Sequence, residues 1–429
     1  MGSGVTGAAT AYDDIRHAVL RRIEQRRLDP VAAPDDVRAL IVAEVAEYQS
    51  LASLGQSRSL RDPDEMVGRV LSSITEQGPL TELLRRHDVE EVFIEGAHVT
   101  YLQRGGRLHV LTSPTSETEN RHVIERLLSP TERRLDTRNP MVQARVLDGT
   151  ARLTAAIPPV TDALSATIRR HALRRETLAT LVDRGALTLP AASFVASVVR
   201  AGGNVLVSGP PGSGKTSLLS ALIAAIPPAR CIRCCEEVRE LNVPLVHGAY
   251  YEARPPALDG SGEVTLRDLV KFVLAMRPDH LIVGEVRGAE AFELTRAVNA
   301  GCGFAVTVHA NSARDALHAL VNAAVMAGEN VNDRFVRRVF ARAIDVVVHL
   351  DRDPLGDGTD SIRRGVTEVL VLAPSLADDF TTEAVFRRDH LDAPLEWTGL
   401  LPERGGRLER SLPSGVSLRS VLEGGMVLV

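Results

Sequence analysis

The run Asn204-Val205-Leu206-Val207-Ser208-Gly209-Pro210-Pro211-Gly212-Ser213-Gly214-Lys215-Thr216-Ser217, continuing into Leu218-Leu219-Ser220-Ala221-Leu222, decides how the rest of the chain is read. Gly209 and Gly214-Lys215-Thr216 stand at the spacing of a phosphate-binding loop, with an apolar strand before them and an amphipathic helix after. The glycines let successive backbone N–H groups turn toward phosphate oxygens, and the helix that starts at Lys215 adds the positive end of its dipole. Lys215 is expected to bridge the β- and γ-phosphates of ATP, and Thr216 to offer its hydroxyl to Mg²⁺. Pro210, Pro211, Gly212, Ser213 and Ser217 complete the loop. A chance glycine-rich turn is the alternative, and it gives no reason for the flanking strand and helix. The stripe Leu218, Leu219, Leu222 and Ile226 is read as core packing.

Downstream, strands are expected at Cys231–Glu236, His280–Glu285 and Ala305–His309, with a helix near Leu266–Met276. Alternating β and α segments imply an α/β domain with a mostly parallel sheet and helices on both faces. Ile344–Leu350 and Val366–Leu372 read as further strands, and the tail through Arg407 as a small β appendage. The 429 residues suggest two or three domains at about 150 residues each.

Composition narrows the function. With 44% hydrophobic and 24% charged residues and a net charge of −5, the chain lacks the basic surplus of a nucleic-acid binder. Lys215 and Lys271 are its only lysines. No apolar run is long enough to span a membrane and no signal-peptide order opens the chain, so a cytoplasmic location is expected. Cys231, Cys234, Cys235 and Cys302 offer no disulfide framework, and core packing is favoured over a zinc site. Gly2 to Gly7 fits a dinucleotide pattern and Met1-Gly2 with Thr6 a myristoylation pattern. Neither has its structural context, so Gly2 to Thr10 is read as a disordered leader.

Upstream, Ile15, Val19 and Ile23, then Val37, Ile41 and Val45, recur at helical spacing and predict a helical head. Asp62-Pro63-Asp64 opens another helix. Glu91–Glu95 alternates as a strand. Arg104-Gly105-Gly106-Arg107 reads as the turn of a hairpin between Val99–Leu102 and Leu108–Leu111, so this part is an α+β domain.

Four side chains are candidates for the chemistry. Leu281-Ile282-Val283-Gly284-Glu285 has the form of the strand that ends beside the γ-phosphate, with Gly284 at the position where a metal-organising aspartate is usual. Glu285 is therefore expected to orient the attacking water and to reach Mg²⁺, directly or through water. Glu236 and Glu237, ending a neighbouring strand, are candidates for the same crevice. An ordinary exposed strand terminus is the alternative for each. His309 closes the strand after, and a lone histidine is usually structural.

Together these motifs resemble the secretion ATPase superfamily, and especially the CpaF-like ATPases of Tad/Flp pili. Cys235-Glu236-Glu237-Val238-Arg239-Glu240-Leu241 is similar to the family's Asp box, with Glu237 where aspartate is usual. Tyr251-Glu252-Ala253-Arg254-Pro255-Pro256 with Gly262-Glu263-Val264-Thr265 is similar to a stretch of the CpaF branch. Val283 to Gly288 resembles its atypical Walker B motif, and Thr307-Val308-His309-Ala310-Asn311-Ser312 its His box. Pro140 to Arg145 and Asp148-Gly149 resemble its N-terminal domain. The likeness covers about residues 75–429. Asn299 to Phe304 departs from it, being shorter and carrying Cys302 where histidine is common. The four-cysteine zinc insertion of many type II relatives is missing.

The proline- and arginine-rich stretch from Pro158 to Glu176 places an interdomain linker at 166–178, between the α+β domain at 61–165 and the domain at 179–429 with its β appendage, while the head and leader at 1–60 have no match in the family. The resemblance implies that 179–429 is a RecA-like ATPase domain. It makes His309 a sensor of the γ-phosphate. It also nominates Arg145, Arg152 and Arg169 of the N-terminal domain, with Arg254 and Arg277, as cations that reach the nucleotide, a role suited to a permanently charged planar fork. It further implies a homo-hexamer that hydrolyses ATP at the inner face of the cell membrane and acts on inner-membrane platform proteins to assemble or retract pilin. A type IV secretion or conjugation ATPase, and a nucleotide-gated scaffold without turnover, are the competing readings.

Overall fold

The computed structural model describes the chain apart from residues 1–4, 31, 77, 104–106, 113–114, 132, 171–175, 257–259, 354–362, 374–378, 404–407, 411 and 426–429, and leaves the side chains of 5–10 undescribed. The residues form two compact units, Met1–Ala172 and Leu173–Gly356 with Ile362–Val429.

In the first unit, helices α1 (Val5–Arg26), α2 (Pro34–Ser53) and α3 (Pro63–Thr75) bury one apolar cluster that includes Tyr12, Ile15, Val19, Ile41 and Val70. The Asp62 carboxylate caps α3 by accepting from Glu65 N–H at 2.9 Å. Two expectations shift here. Val5–Thr10, read as disordered, forms the first turns of α1, and α3, placed beyond the head, shares the head's apolar cluster. Helices α4 (Thr81–Arg85) and α5 (Glu117–Leu128) accompany strands β1 (Val89–Glu95), β2 (His98–Gln103), β3 (Arg107–Val110), β4 (Met141–Val146), β5 (Ala151–Ala156) and β6 (Ser165–Arg170). The strands make an antiparallel sheet in the order β3-β2-β1-β6-β5-β4. The hairpin of β2 and β3 is present, with residues 104–106 of its turn outside the described residues. Ser165–Arg170, placed mostly in the linker by its prolines and arginines, is instead a central strand whose alternation buries Ala166 and Ile168. Of the remaining linker, 171–175 lies outside the described residues.

The second unit opens with α6 (Leu178–Asp183) and α7 (Leu189–Arg200). Then come β7 (Val205–Ser208), α8 (Lys215–Ala225), β8 (Ile232–Glu236), β9 (Gly248–Glu252), α9 (Leu266–Leu274), β10 (His280–Val283), α10 (Glu290–Asn299), β11 (Gly303–Val308), α11 (Ala313–Val325), α12 (Asp333–Ala343) and β12 (Val346–Arg352). Strands β13 (Arg364–Leu372), β14 (Thr382–Arg387) and β15 (Glu396–Trp397) complete a nine-stranded sheet ordered β15-β14-β13-β12-β7-β11-β10-β8-β9. The stretch from β12 to β9 is parallel and fully paired, while β13 to β15 are antiparallel. The expected appendage is thus a continuation of the main sheet. Val205 and Val207 face a core with α7 and α8, and Leu206 faces the opposite core with α9 to α12, as a strand buried on both sides requires. Because β8 and β12 lie on opposite sides of β7, the chain reverses direction across the sheet beside β7. Open α/β sheets bind ligands at the carboxyl ends of the strands near such a point.

Candidate functional site

The loop after β7 has the backbone that phosphate binding needs. Gly209, Gly212 and Gly214 adopt φ of 149°, 74° and 98°, a region that suits glycine alone. At Gly209 a Cβ would stand 2.7 Å from Ser213 Oγ and would also strike the Leu350 carbonyl of β12. Ser213 is 1% exposed and its hydroxyl has no hydrogen-bond partner, so the loop holds a buried polar atom aimed at nothing of its own. Behind the loop, Ser208 and His349 meet at 2.9 Å, with burial holding His349 below its ordinary pKa. The loop geometry and the orphan hydroxyl fit a phosphate group.

Lys215 is buried at the start of α8 and donates to the Gly209 carbonyl at 2.8 Å, the Pro210 carbonyl at 2.9 Å and His309 Nδ1 at 3.1 Å. An ammonium has no lone pair, so Nδ1 must be the acceptor. Burial first, and Lys215 second, hold the imidazole below its usual pKa, so it is neutral near pH 7 with its proton on Nε2. Nε2 lies 2.5 Å from Glu285 Oε1, off the alignment of a hydrogen bond, and Arg287 Nη2 donates to Glu285 Oε2 at 2.6 Å. Strands β7, β10 and β11 thereby join the predicted lysine, carboxylate and histidine in one line, with Arg287 at its end.

Thr216 points to a residue the sequence reading did not nominate: its hydroxyl donates to Glu240 Oε2 at 3.3 Å. In the 235–241 segment, strand-end position alone singles out Glu236 and Glu237, and Glu240 lies past the strand in the loop. A hard oxygen pair from Thr216 and Glu240 suits Mg²⁺, which takes few protein ligands and keeps its waters. Among the described residues no group of three His, Cys, Asp or Glu could hold a metal ion unaided.

Glu236 departs from its expected role. It is 3% exposed and turned inward, where Oε1 accepts from Glu240 N–H at 3.0 Å and Leu241 N–H at 3.1 Å. Burial pushes its pKa up to about 7. Its oxygens are spent on backbone amides, so it does not face the crevice; Glu237 is exposed. Gly284, the atypical position, is where Glu236 fits: a Cβ there would sit 2.7 Å from Glu236 Cγ.

The nominated arginines divide. Arg145, Arg152 and Arg169 are direct cross-strand partners on β4, β5 and β6, forming one row on the face away from the core, and Glu91 on β1 continues the row at 3.3 Å from Arg169. Arg152 also donates to Gln143 at 2.7 Å. Arg254 follows β9, at the sheet edge four strands from β7, roughly 19 Å at the usual interstrand spacing. Arg277 precedes β10, at the amino ends of the parallel strands, whereas the loop leaves the carboxyl end of β7. Neither Arg254 nor Arg277 is brought to the loop within this chain. The four cysteines are free and buried. No helix of the described residues is long and apolar enough to cross a membrane.

A parallel sheet whose first strand feeds a glycine loop and a helix N-terminus defines the P-loop class of α/β proteins. Within that class the chain belongs to the family described as Type II/IV secretion system protein, which matches residues 73–354, and so to the secretion and pilus ATPase superfamily. It is 34% identical over 313 residues to a Mycobacterium tuberculosis protein with a provisional conjugal transfer name, covering 71% of this chain and 87% of that one. It is 27% identical to the conjugal transfer protein TrbB of Rhizobium radiobacter, covering 76% and 95%. The solved pilus retraction motor PilT with bound ADP is similar at 17% identity and a TM-score of 0.45, over 79% of this chain and 83% of that one.

Proposed function

We propose that this chain is a motor ATPase that hydrolyses ATP in its second unit, which we read as RecA-like, and passes the resulting movement to a secretion or pilus machine at the inner face of the cell membrane. The observation that carries the reading is the line Lys215–His309–Glu285, drawn from three adjacent strands to one loop mouth. Lys215, now donating to two loop carbonyls and His309, is the cation for β- and γ-phosphate oxygens. His309, linked to both Lys215 and Glu285, reports whether Lys215 has moved to phosphate. Glu285 orients the attacking water, and Arg287 keeps its carboxylate in place. Thr216, Glu240 and Glu285 would hold Mg²⁺, which supplies charge neutralisation for the transferred phosphoryl group. The row Arg145–Arg152–Arg169 offers three permanent charges on one face of the first unit, suited to phosphate oxygens at a subunit boundary.

Lys215→Ala tests the reading: phosphate release in the full chain should fall at least about 100-fold, because the loop loses its own lysine cation for the phosphates. Near-normal release would remove the ATPase reading.

Within the superfamily we favour a homo-hexamer that drives Tad/Flp pilin assembly or retraction through platform proteins, on the motifs at 251–265 and 283–288. The conjugal transfer names of the similar proteins support type IV secretion as the second reading. Deletion of the gene separates them, since pilus loss with intact DNA transfer supports the first and the reverse supports the second.

A further inference from the structure

Glu236 is an expensive way to fill a buried position, since a carboxyl group removed from water must recover its lost solvation from protein donors. Here the donors are two consecutive backbone amides, Glu240 N–H and Leu241 N–H, the second also lying 3.3 Å from Oε2. Few side chains other than a carboxylate or its amide could reach both from the end of β8. Its backbone is fixed as well: the Glu236 carbonyl accepts from Ala253 N–H at 2.9 Å, and Gly284 N–H donates to the Cys235 carbonyl at 3.0 Å. The stem passes over Gly284, where a Cβ would meet Cγ at 2.7 Å, Cδ at 3.3 Å and Oε1 at 3.1 Å. Cγ is held between backbone and carboxylate and cannot swing aside. At the far end of the loop, Leu241 is 1% exposed and belongs to the core beside α8. Between the two fixed points stands Glu240, whose Oε2 accepts the Thr216 hydroxyl.

We propose that Glu236 is a positioning residue: from its slot over Gly284 it ties down the 237–241 loop and thereby sets Glu240 opposite Thr216. Gly284 and Glu236 are then one device, the missing side chain at 284 being the room in which the anchor sits. The bare position in the 281–285 strand is thus a steric requirement of the neighbouring strand. The magnesium arm of the test below rests on the ATPase reading, and the amide-exchange arm stands without it.

The experiment uses the full chain with Glu236→Ala, Glu236→Gln and Gly284→Ala, each checked for a cooperative melting transition. Without nucleotide, amide exchange at Glu240 and Leu241 should rise about tenfold or more in Glu236→Ala, and stay within about threefold in Glu236→Gln, whose carbonyl oxygen still accepts. Gly284→Ala, which pushes the anchor while leaving its carboxylate intact, should raise exchange at the same two amides, and it carries the test if Glu236→Ala does not fold. In ATPase assays at saturating ATP, the half-saturating Mg²⁺ concentration should rise about fivefold or more in Glu236→Ala and return to within about twofold in Glu236→Gln, with kcat at saturating Mg²⁺ changed less than about threefold. Unchanged exchange in Glu236→Ala and Gly284→Ala would overturn the anchor. A loss of kcat of about 100-fold in Glu236→Gln with unchanged Mg²⁺ dependence would overturn it too, by making Glu236 a reacting group. A wild-type chain without Mg²⁺-dependent hydrolysis would defeat the ATPase reading instead, while the exchange measurement still decides the anchor.

Discussion

Glu236 and Glu285 end neighbouring strands and carry the same functional group, yet their surroundings give them opposite properties. Glu285 is partly exposed, contacted by His309 on one oxygen and Arg287 on the other. The Glu236 oxygens accept from backbone amides instead, and burial lifts its pKa from 4.5 to about 7. An acid whose folded-state pKa is raised binds its proton more tightly when folded, so folding is favoured at low pH and this contribution is lost as pH rises through about 7. Glu236→Gln cannot titrate. The stability of wild type relative to Glu236→Gln should therefore decline from about pH 5 to about pH 8, and level off above it. Melting temperatures of the two proteins in a common buffer series check this, and parallel curves would mean that Glu236 is not buried in solution as it is here.

At the scale of elements, the row of arginines shows what strand pairing adds to a sequence. Arg145, Arg152 and Arg169 were nominated one at a time, and the antiparallel register places them side by side. Three cations in adjacent positions repel, Glu91 beside Arg169 offsets part of that, and a further anion facing the row would offset more. If the anion is nucleotide bound to a neighbouring subunit, Arg152→Ala rings should be slow, by about tenfold or more, and mixing them with Lys215→Ala subunits should restore some phosphate release. Mixed rings contain boundaries where an intact arginine faces an intact loop. With mixed rings verified by mass, absence of recovery would assign the row to its own chain or to another role.

The elements that carry chemistry were largely readable beforehand. The loop at 209–216, the Glu285 strand and the His309 strand are local patterns, each an apolar run with its functional residue at one end. Ser165–Arg170 was misread because it ends in two arginines, of which only Arg169 is exposed, and prolines lie just before it, so composition suggested a linker where alternation carried a strand. Glu240 escaped notice because its importance lies in a contact with Thr216, and Glu236 misled because burial is decided by Gly284 on a strand some fifty residues away. Arg277 was a plausible cation whose place at the amino end of β10 no local pattern records.

For the molecule as a whole, the proposed turnover of ATP in the second unit depends on Glu285, the group that would make hydrolysis, as distinct from binding, possible. Glu285→Gln keeps the size of the side chain and a hydrogen-bonding end but loses the carboxylate. ATP affinity and single-turnover hydrolysis, measured together on full-length wild type and Glu285→Gln, test this most directly. ATP should bind within about threefold of wild type while hydrolysis slows by about 100-fold or more, leaving ATP trapped on the protein. Hydrolysis at the wild-type rate in Glu285→Gln, or a wild-type chain that fails to bind ATP, would contradict it.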